Sequence, residues 1–208
     1  MKLQSFFDRG NNFFCDESHR IDCSKKSSAF KRTPNVIVIH WSAGAYSTDE
    51  KRLQRIKQWV ADPNEKKSVH FCILRGGAVY QLVGLDRAAW HAGKSEWIDA
   101  QGNKLSSLNY YSFGIELDLV GPVTQKNGKW VDSYGHAFPG AVAQGKDGKF
   151  YEQPSDQMLY SLRMVIDTLR SKYQIALQDV VGHVDVSPGR KIDPGPLVTR
   201  VSLGLEDG

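Results

Sequence analysis

This chain of 208 residues has no apolar run approaching the roughly 18 residues needed to cross a membrane as a helix. Its first residues, MKLQSFFDRGNNFFCDESHR, interrupt their aromatic side chains with Asp8, Arg9 and Asn11. A secretory signal peptide needs an unbroken apolar core, so we predict that this segment is not one. We therefore expect a cytoplasmic protein without a membrane span, or one that a separate lysis or secretion system delivers to the cell envelope.

Cysteine is scarce, and its three copies are Cys15, Cys23 and Cys72. An odd count in a chain of this size favours reduced thiols over a disulfide framework. A bridge between Cys15 and Cys23 stays open as an alternative.

No charge of one sign is in large excess, because 27 Lys and Arg oppose 23 Asp and Glu for a formal net charge of +4. The basic residues are scattered and form no stripe that would indicate nucleic-acid binding. The mild positive charge still permits attraction to an anionic polymer.

The length favours one compact domain over two, and we expect a monomer. Residues 1–34 mix polar and aromatic residues, so we predict an N-terminal extension with little regular structure. Residues 122–153 hold five glycines and two prolines without a hydrophobic period, which predicts an irregular insertion. The domain itself is assigned to residues 35–208.

Several short apolar runs predict strands. Val36 to Ile39 are four β-branched residues before His40, a run too short for a helix but typical of a strand buried on both faces. Apolar runs on either side of Gly76 and Gly77 predict a β-hairpin. Two further strands are predicted in SFGIELDLVG and in DVVGH.

Two amphipathic segments predict helices. The first lies within YSTDEKRLQRIKQWVADP, where Ser47 and Glu50 have the spacing of a capping box and Pro63 ends the helix. The second begins near Ser155 and carries a continuous apolar face. Strands that alternate with helices predict an α/β domain with a central mixed sheet flanked by helices.

Two predicted strands end in a histidine, His40 and His183, and Asp193 follows ten residues after the second. Two imidazoles and one carboxylate, with one position left for water, have the composition of a catalytic zinc site. The same residues are also typical of polar groups satisfied within capped loops.

Glu116 lies inside a predicted strand, where it shares one face with Asp118. It is either a solvent-facing residue or an acid held in a cleft of low dielectric constant. The alternation of the strand leaves both interpretations open.

An ordered set of motifs runs through the chain: VIVIHWSAG, VHFCILRGGAVYQLV, AAWHAG, NYYSFGIELDL and GHVDVSPGRKIDPGP. Over roughly residues 35–200 the chain resembles the zinc-dependent N-acetylmuramoyl-L-alanine amidases. This family includes bacterial muropeptide-recycling amidases, amidase-type phage lysozymes and animal peptidoglycan-recognition proteins. The resemblance implies their fold, and hydrolysis of the amide between N-acetylmuramic acid and L-alanine in peptidoglycan or muropeptides.

The resemblance also implies roles for individual residues. His40, His183 and Asp193 would bind Zn²⁺, and an aspartate at the third position is typical of the bacterial recycling type. Glu116 would be the catalytic acid and base. Lys191 would stabilise the transition state.

Four further residues are candidate substrate contacts, and each has a structural alternative. Trp90 stacks on sugar or simply packs, and His91 contacts substrate or orients another residue. Arg190 meets a stem-peptide carboxylate or is a solvated loop charge. Asn109 contacts substrate or supports the strand that carries Glu116.

We therefore expect a zinc amidase whose partner is peptidoglycan. The alternative is a peptidoglycan-binding module without catalysis. Whether the substrate is a small muropeptide, as in recycling, or the polymeric wall, as for an endolysin, stays open at this point.

Overall fold

The computed structural model describes residues 19–44 and 48–205. Its strands are, in chain order, β1 (Ser27–Ala29), β2 (Val36–Trp41), β3 (Phe71–Ile73), β4 (Val79–Gln81), β5 (Arg87–Ala89), β6 (Glu96–Ile98), β7 (Lys104–Ser106), β8 (Ser112–Leu117), β9 (Pro122–Lys126), β10 (Lys129–Val131), β11 (Val142–Gln144), β12 (Phe150–Glu152) and β13 (Val180–Gly182). The α-helices of this part of the chain are α1 (Asp49–Ala61), α2 (Asp156–Tyr173) and α3 (His183–Val186). Within the described ranges, no helix has the length and apolar character required to span a bilayer.

A five-stranded sheet with the order β13-β2-β8-β3-β4 forms the centre of the fold. The strands β13, β2, β8 and β3 run parallel. β4 pairs with β3 antiparallel, which confirms the hairpin predicted around Gly76 and Gly77. The expected α/β class with a mixed central sheet is confirmed.

Both faces of this sheet are covered by packed side chains, which is why its central strands are apolar almost throughout. On one face, alternate residues of β2 and β8 such as Ile37 and Ile115 pack against α2, whose contributing side chains are Met158, Leu162, Ile166 and Leu169. The intervening residues point to the opposite face, where Val36 and Val38 pack against Leu105 and Leu108.

The strand registers place the chemically active residues in one row. His40 on β2 pairs with Glu116 on β8, and Glu116 pairs with Cys72 on β3. Residues in register on parallel strands point to the same face, so these three side chains stand side by side. β13 ends at Gly182 beside β2, which brings His183 next to His40.

The two long helices begin at hydroxyl caps. The hydroxyl of Thr48 accepts a hydrogen bond from the Lys51 N–H at 3.3 Å, so the N-cap of α1 is Thr48, one residue after the predicted Ser47. Ser47 lies outside the described residues. The N-cap of α2 is Ser155 as predicted, with the Ser155 hydroxyl accepting from the Met158 N–H at 3.1 Å.

The segment 122–153 is not irregular, so that prediction was wrong. It folds as a four-stranded antiparallel sheet with the order β10-β9-β12-β11, which we call the insertion sheet. Its strands are three to five residues long. Strands this short show no recognisable alternation of apolar and polar residues. The sheet forms by pairing between strands that glycine-containing turns connect.

The described part of the predicted N-terminal extension packs on the domain. β1 pairs antiparallel with β5, which corrects the expectation of little regular structure there. Cys23 and Cys72 are buried free thiols in one hydrophobic cluster, as the prediction of reduced cysteines requires. Cys15 lies outside the described residues, and the domain boundary at residue 35 stays a prediction.

Candidate metal centre and active site

Three buried side chains meet at the C-terminal edge of the central sheet. The Nδ1 atom of His40 lies 2.9 Å from Nδ1 of His183 and 3.1 Å from Oδ2 of Asp193. Nδ1 of His183 lies 3.0 Å from the same carboxylate oxygen. The structure therefore brings together the three residues that the sequence singled out as a candidate zinc site.

Local structure explains why residues so distant in the chain meet. His40 belongs to the end of β2, and His183 begins the single turn of α3 directly after β13. The chain then loops back, and the Val184 N–H donates to the Asp193 carbonyl at 2.9 Å. That bond returns Asp193 to the beginning of α3 and so places its carboxylate between the two imidazoles.

The donor set fits a metal ion. Ligands about 2.0–2.1 Å from a tetrahedral zinc ion stand roughly 3.3 Å apart, which is near the spacing of these three atoms. Two imidazoles and one carboxylate leave one tetrahedral position for water, as catalytic sites do. The group of His40, His183 and Asp193 is thus able to bind a metal.

The protonation states also suit metal binding. Burial opposes ionisation of Asp193, but hydrogen bonds with His183 and His40 outweigh it and hold the pKa of this carboxyl well below its ordinary value. Burial lowers the pKa of His40 more than the hydrogen bond to Asp193 raises it. Neutral imidazole and ionised carboxylate are the forms that coordinate metals.

The outward-facing ring nitrogens of both histidines have partners. Nε2 of His183 lies 3.1 Å from the Ala92 carbonyl oxygen. Nε2 of His40 lies 2.9 Å from Nδ1 of His91. Contacts of this kind orient metal-binding imidazoles and fix which nitrogen carries the proton.

Glu116 faces the cleft beside this group, which resolves the two interpretations of its position in the strand. Burial, followed by the negative charge of Asp193, raises the pKa of Glu116 from 4.5 to about 8. The side chain lines a cleft of about 690 Å³ together with Cys72, Trp90 and His91. A carboxyl group that titrates near neutral pH can both accept and donate a proton there.

Lys191 lies two residues before Asp193 and is half-buried. Its positive charge lowers the pKa of His40 and that of Glu116. A positive charge near both groups can stabilise negative charge on a bound molecule, and the role of Lys191 in catalysis stays a prediction.

Two of the four predicted substrate contacts line the cleft. Trp90 is half-buried there and donates its indole N–H to the Ser28 hydroxyl at 2.9 Å. His91 also reaches the cleft wall, but both of its ring nitrogens already have protein partners, the second being the Ser112 hydroxyl at 3.3 Å. Burial, followed by the charge of His40, holds the pKa of His91 well below its ordinary value.

The other two predicted contacts have internal partners. The guanidinium of Arg190 donates to the carbonyls of Ala92 and Lys94 at 2.9 and 2.7 Å. The carboxamide oxygen of Asn109 accepts the backbone N–H groups of His91 and Ala92 at 2.9 and 2.7 Å. A direct contact of Arg190 or Asn109 with substrate stays a prediction.

Sequence reasoning missed a buried ionic network behind the cleft. Asp118 pairs with Arg52 and Arg75, and Arg75 also pairs with Glu152 of the insertion sheet. Arg52 donates to the carbonyls of residues 43–44, in the loop that follows β2. The network therefore ties the ends of β2 and β8 to the insertion sheet. The sequence indicated only that Asp118, directly after β8, alternates with Leu117 and so shares a face with Glu116.

The sequence did not indicate which residues of the insertion line the cleft. Tyr134 and His136 both line the cleft. Their backbone N–H groups both donate to Oδ1 of the buried Asp132, each at 2.9 Å. A turn of this kind is specified by one aspartate, which is too little for a pattern search to detect.

Comparison with known proteins gives a consistent result. The family model described as N-acetylmuramoyl-L-alanine amidase matches residues 30–196. The N-acetylmuramoyl-L-alanine amidase AmiD of Escherichia coli is 27% identical over 188 residues, which cover 87% of this chain and 56% of AmiD. The 1,6-anhydro-N-acetylmuramyl-L-alanine amidase AmpD of Haemophilus influenzae is 29% identical, covering 84% of this chain and 86% of that protein.

Solved structures support the same fold. A selenomethionine derivative of AmpD superposes with a TM-score of 0.66 at 22% identity, covering 95% of this chain and 98% of that one. E. coli AmiD in complex with the substrate anhydro-N-acetylmuramic acid-L-Ala-D-γ-Glu-L-Lys superposes with a TM-score of 0.59 at 26% identity, covering 85% of this chain and 58% of that one. The chain thus spans little more than half the length of AmiD but most of the H. influenzae AmpD. Because the family model matches most of its length, this chain belongs to the N-acetylmuramoyl-L-alanine amidase family.

Proposed function

We propose that this chain is a zinc-dependent amidase that hydrolyses the bond between N-acetylmuramic acid and L-alanine. The observation that carries the proposal is the convergence of His40, His183 and Asp193 within hydrogen-bond distance of one another, beside a carboxyl group with a raised pKa. In this proposal the three converging side chains bind Zn²⁺, and Glu116 accepts and donates the proton that the reaction transfers.

The chemistry of the amide explains why these groups are required. An amide has a weakly electrophilic carbonyl and a poor amine leaving group, so a catalyst must act on both ends. Zn²⁺ bound in such a site polarises a carbonyl and lowers the pKa of a coordinated water to about 7. His40, His183 and Asp193 would supply three protein ligands for that chemistry.

Glu116 acts on the amine end in this proposal. Its carboxylate takes a proton from the attacking water and passes it to the departing alanine nitrogen. Its pKa of about 8 in the metal-free protein suits both halves of that transfer. A positive ion in the adjacent site shifts the balance towards the carboxylate, the form needed to accept the first proton.

Lys191 acts on the carbonyl end. Its ammonium group faces the oxygen on which negative charge develops when the carbonyl is attacked. One well-placed donor of this kind typically contributes about 3 to 4 kcal/mol of transition-state stabilisation. The influence of Lys191 on the pKa values of both His40 and Glu116 supports this placement.

We further propose that the substrate is a soluble anhydro-muropeptide, as in muropeptide recycling. The relatives named AmpD are amidases of 1,6-anhydro-N-acetylmuramyl-L-alanine, and the AmiD complex holds an anhydro-muramoyl tripeptide. The aspartate in the metal group is the residue that the recycling type carries at that position. Cytoplasmic localisation belongs to this proposal and is independent of the metal chemistry.

The function is tested with purified protein and zinc. We expect the wild-type chain to bind zinc and release free stem peptide from a soluble anhydro-muropeptide. His183→Ala should lose bound zinc and activity together, because a catalytic site with one ligand fewer holds the ion weakly. A variant that keeps both would remove His183 from the site.

The same assay separates the rival functions. A wild-type protein that binds muropeptides but releases no stem peptide with zinc present would be a non-catalytic binding module. Parallel digestion of intact sacculi distinguishes the substrates. Faster release from sacculi than from the soluble fragment would contradict the recycling proposal and favour a wall-degrading, endolysin-like enzyme.

A further inference from the structure

The tautomer of each imidazole decides whether the proposed metal site can form. A neutral imidazole carries one N–H, and only the other nitrogen has a lone pair for a metal. His40 and His183 both direct Nδ1 at the metal group, so each can bind a metal only when its proton is on Nε2. A proton on Nδ1 would instead be donated to the Asp193 carboxylate, so the partner of Nε2 decides between the two tautomers.

For His183 the tautomer is set by one carbonyl. Nε2 of His183 lies 3.1 Å from the Ala92 carbonyl oxygen. A carbonyl oxygen can only accept a hydrogen bond, so this contact requires the proton on Nε2. Nη2 of Arg190 also lies 3.4 Å from Nε2 of His183, but it donates over shorter distances to the carbonyls of Ala92 and Lys94 and to the Ser187 hydroxyl. The lone pair of Nδ1 is then free to face the metal.

For His40 the tautomer is set by a longer chain of contacts. Nε2 of His40 lies 2.9 Å from Nδ1 of His91, and either atom of that pair can be the donor. Nε2 of His91 lies 3.3 Å from the Ser112 hydroxyl oxygen, and this hydroxyl donates to the Leu108 carbonyl at 2.6 Å.

The hydrogen bond from Ser112 to Leu108 decides which atom donates at each earlier contact in this series. Because the single hydroxyl proton of Ser112 is used on Leu108, its oxygen can only accept from His91. A neutral His91 that donates from Nε2 has a bare Nδ1, which must accept from Nε2 of His40. The Nδ1 lone pair of His40 is thereby directed at the metal group.

Packing holds the His91 ring in the position that these hydrogen bonds require. A Cβ atom on Gly114 would lie 2.5 Å from Cγ of His91 and 2.7 Å from its Nδ1. Gly114 belongs to β8, so the imidazole lies directly on the strand that also carries Glu116. Any larger residue at position 114 would displace the ring.

One carboxamide fixes the backbone beneath both contacts. The Asn109 oxygen accepts the N–H groups of His91 and Ala92, the residues that hold His40 and His183 respectively. Asn109 therefore anchors the backbone of both residues next to the metal group.

We propose that His91, with Ser112 and Asn109, is a positioning residue that selects the metal-binding tautomer of His40, and that Ala92 does the same for His183. This inference rests on the proposed metal site and explains why the WHAG motif accompanies it. It also replaces substrate contact as the role of the His91 ring nitrogens. Partners of this kind typically contribute roughly 10- to 100-fold to metal affinity.

The test substitutes His91 and measures two quantities. His91→Phe keeps an aromatic ring over Gly114 but has no nitrogen, whereas His91→Asn keeps an acceptor at the position of Nδ1. Zinc affinity is measured by competition with a chromogenic chelator. The tautomer of His40 is read from imidazole ¹⁵N shifts in the metal-free protein, so this readout does not depend on zinc binding or activity.

We expect His91→Phe to bind zinc roughly 10- to 100-fold more weakly than wild type and to lose the single Nε2–H tautomer of His40. His91→Asn should recover most of the affinity. Ser112→Ala, which removes the last hydrogen-bond acceptor of the series, should show a smaller loss of zinc affinity. His136→Phe and Ser106→Ala are the matched controls and should leave zinc affinity unchanged, because neither residue contacts the metal group.

Wild-type affinity and an unchanged His40 tautomer in His91→Phe would overturn the inference. Chemical denaturation of the metal-free variants shows whether each is folded, and Ser112→Ala provides the test if His91→Phe is not. A wild-type chain that binds no zinc would defeat the proposed function. The tautomer of His40 would still decide the inference in that case.

Discussion

The cleft is bordered by the central sheet and by a loop of the insertion sheet, and these two sheets are built in different ways. In the central sheet, β2 and β8 are buried along most of their length, with packed side chains on both faces. Burial on both faces fixes the register, because a slip of one residue would exchange the two faces. The row from His183 through His40 to Glu116 inherits that fixed register.

The insertion sheet has little buried surface of its own. Its strands are exposed along much of their length, and its small core consists of Val120, Val123 and Phe138. It is attached to the domain through polar contacts, among them the Glu152 carboxylate, which pairs with Arg75 and accepts the Val120 N–H at 2.6 Å. The two sheets therefore have different roles. The central sheet fixes the positions of the reacting groups, and a loop of the insertion sheet forms part of the cleft wall.

The largest effect is expected at the central sheet. Glu116→Gln removes the proton acceptor but keeps the size of the side chain, so kcat should fall by roughly 10²- to 10⁴-fold. Zinc content should stay at the wild-type level, because Glu116 is not among the three converging ligands. Metal analysis beside single-turnover kinetics checks both statements, and loss of zinc in this variant would place Glu116 in the metal group instead.

Matched substitutions compare the stability contributed by the two sheets. Val38 in β2 and Val123 in β9 are both almost fully buried. Val38→Ala should lower the free energy of unfolding by roughly 2 to 3 kcal/mol, because the surrounding core cannot close around the cavity. Val123→Ala should cost about 1 kcal/mol, since its small cluster can relax. Urea denaturation measures both, and equal losses would remove the distinction between the sheets.

The raised pKa of Glu116 predicts a pH dependence of stability in the metal-free protein. Its pKa is about 8 in the folded chain against an ordinary 4.5, so between these values the folded state binds more protons than the unfolded state. Stability from this group is therefore complete below about pH 4.5 and is lost as pH rises through 8. Comparing wild type with Glu116→Gln isolates the effect, and the difference between their free energies of unfolding should change most steeply between pH 5 and 8.

Other groups in the site change stability with pH in the opposite direction, so the Glu116 contribution is obtained only from the difference between wild type and Glu116→Gln. Burial lowers the pKa of His40, His70 and His91, so stability from these groups rises with pH up to about 6.5. Their contribution is common to both proteins. Parallel stability curves for wild type and Glu116→Gln would mean that the carboxyl group has an ordinary pKa.

The central sheet was predictable from sequence for a physical reason that does not hold for the insertion. Four β-branched residues before His40 are a signal within one strand, and the cap and apolar face of α2 are signals within one helix. The insertion sheet depends on pairing between strands of three to five residues, which no local pattern records. Its assignment as irregular structure failed for that reason.

The candidate site divides in the same way. The motifs indicated His40, His183, Asp193 and Glu116, because each has a side chain suited to a reaction. They did not indicate what Gly114 does, because its role is to leave room for a ring from another segment. Contacts that join residues 91, 109 and 112 through their hydrogen-bond directions exist only in the folded chain.

The smallest effect is expected at the insertion sheet. Tyr134 is 68% exposed and lines the cleft beside His136, so its ring is available to contact the part of a substrate remote from the scissile bond. Tyr134→Ala should raise KM by roughly 2- to 10-fold and leave kcat unchanged, because an exposed aromatic contact contributes about 0.5–1.5 kcal/mol. Tyr160→Ala, an equally drastic change at an exposed tyrosine of α2 on the opposite face, is the control and should alter neither constant. Steady-state kinetics on a soluble anhydro-muropeptide measures both variants. A fall in kcat for Tyr134→Ala would mean that the insertion sheet takes part in the chemistry, and the division between the two sheets would no longer hold.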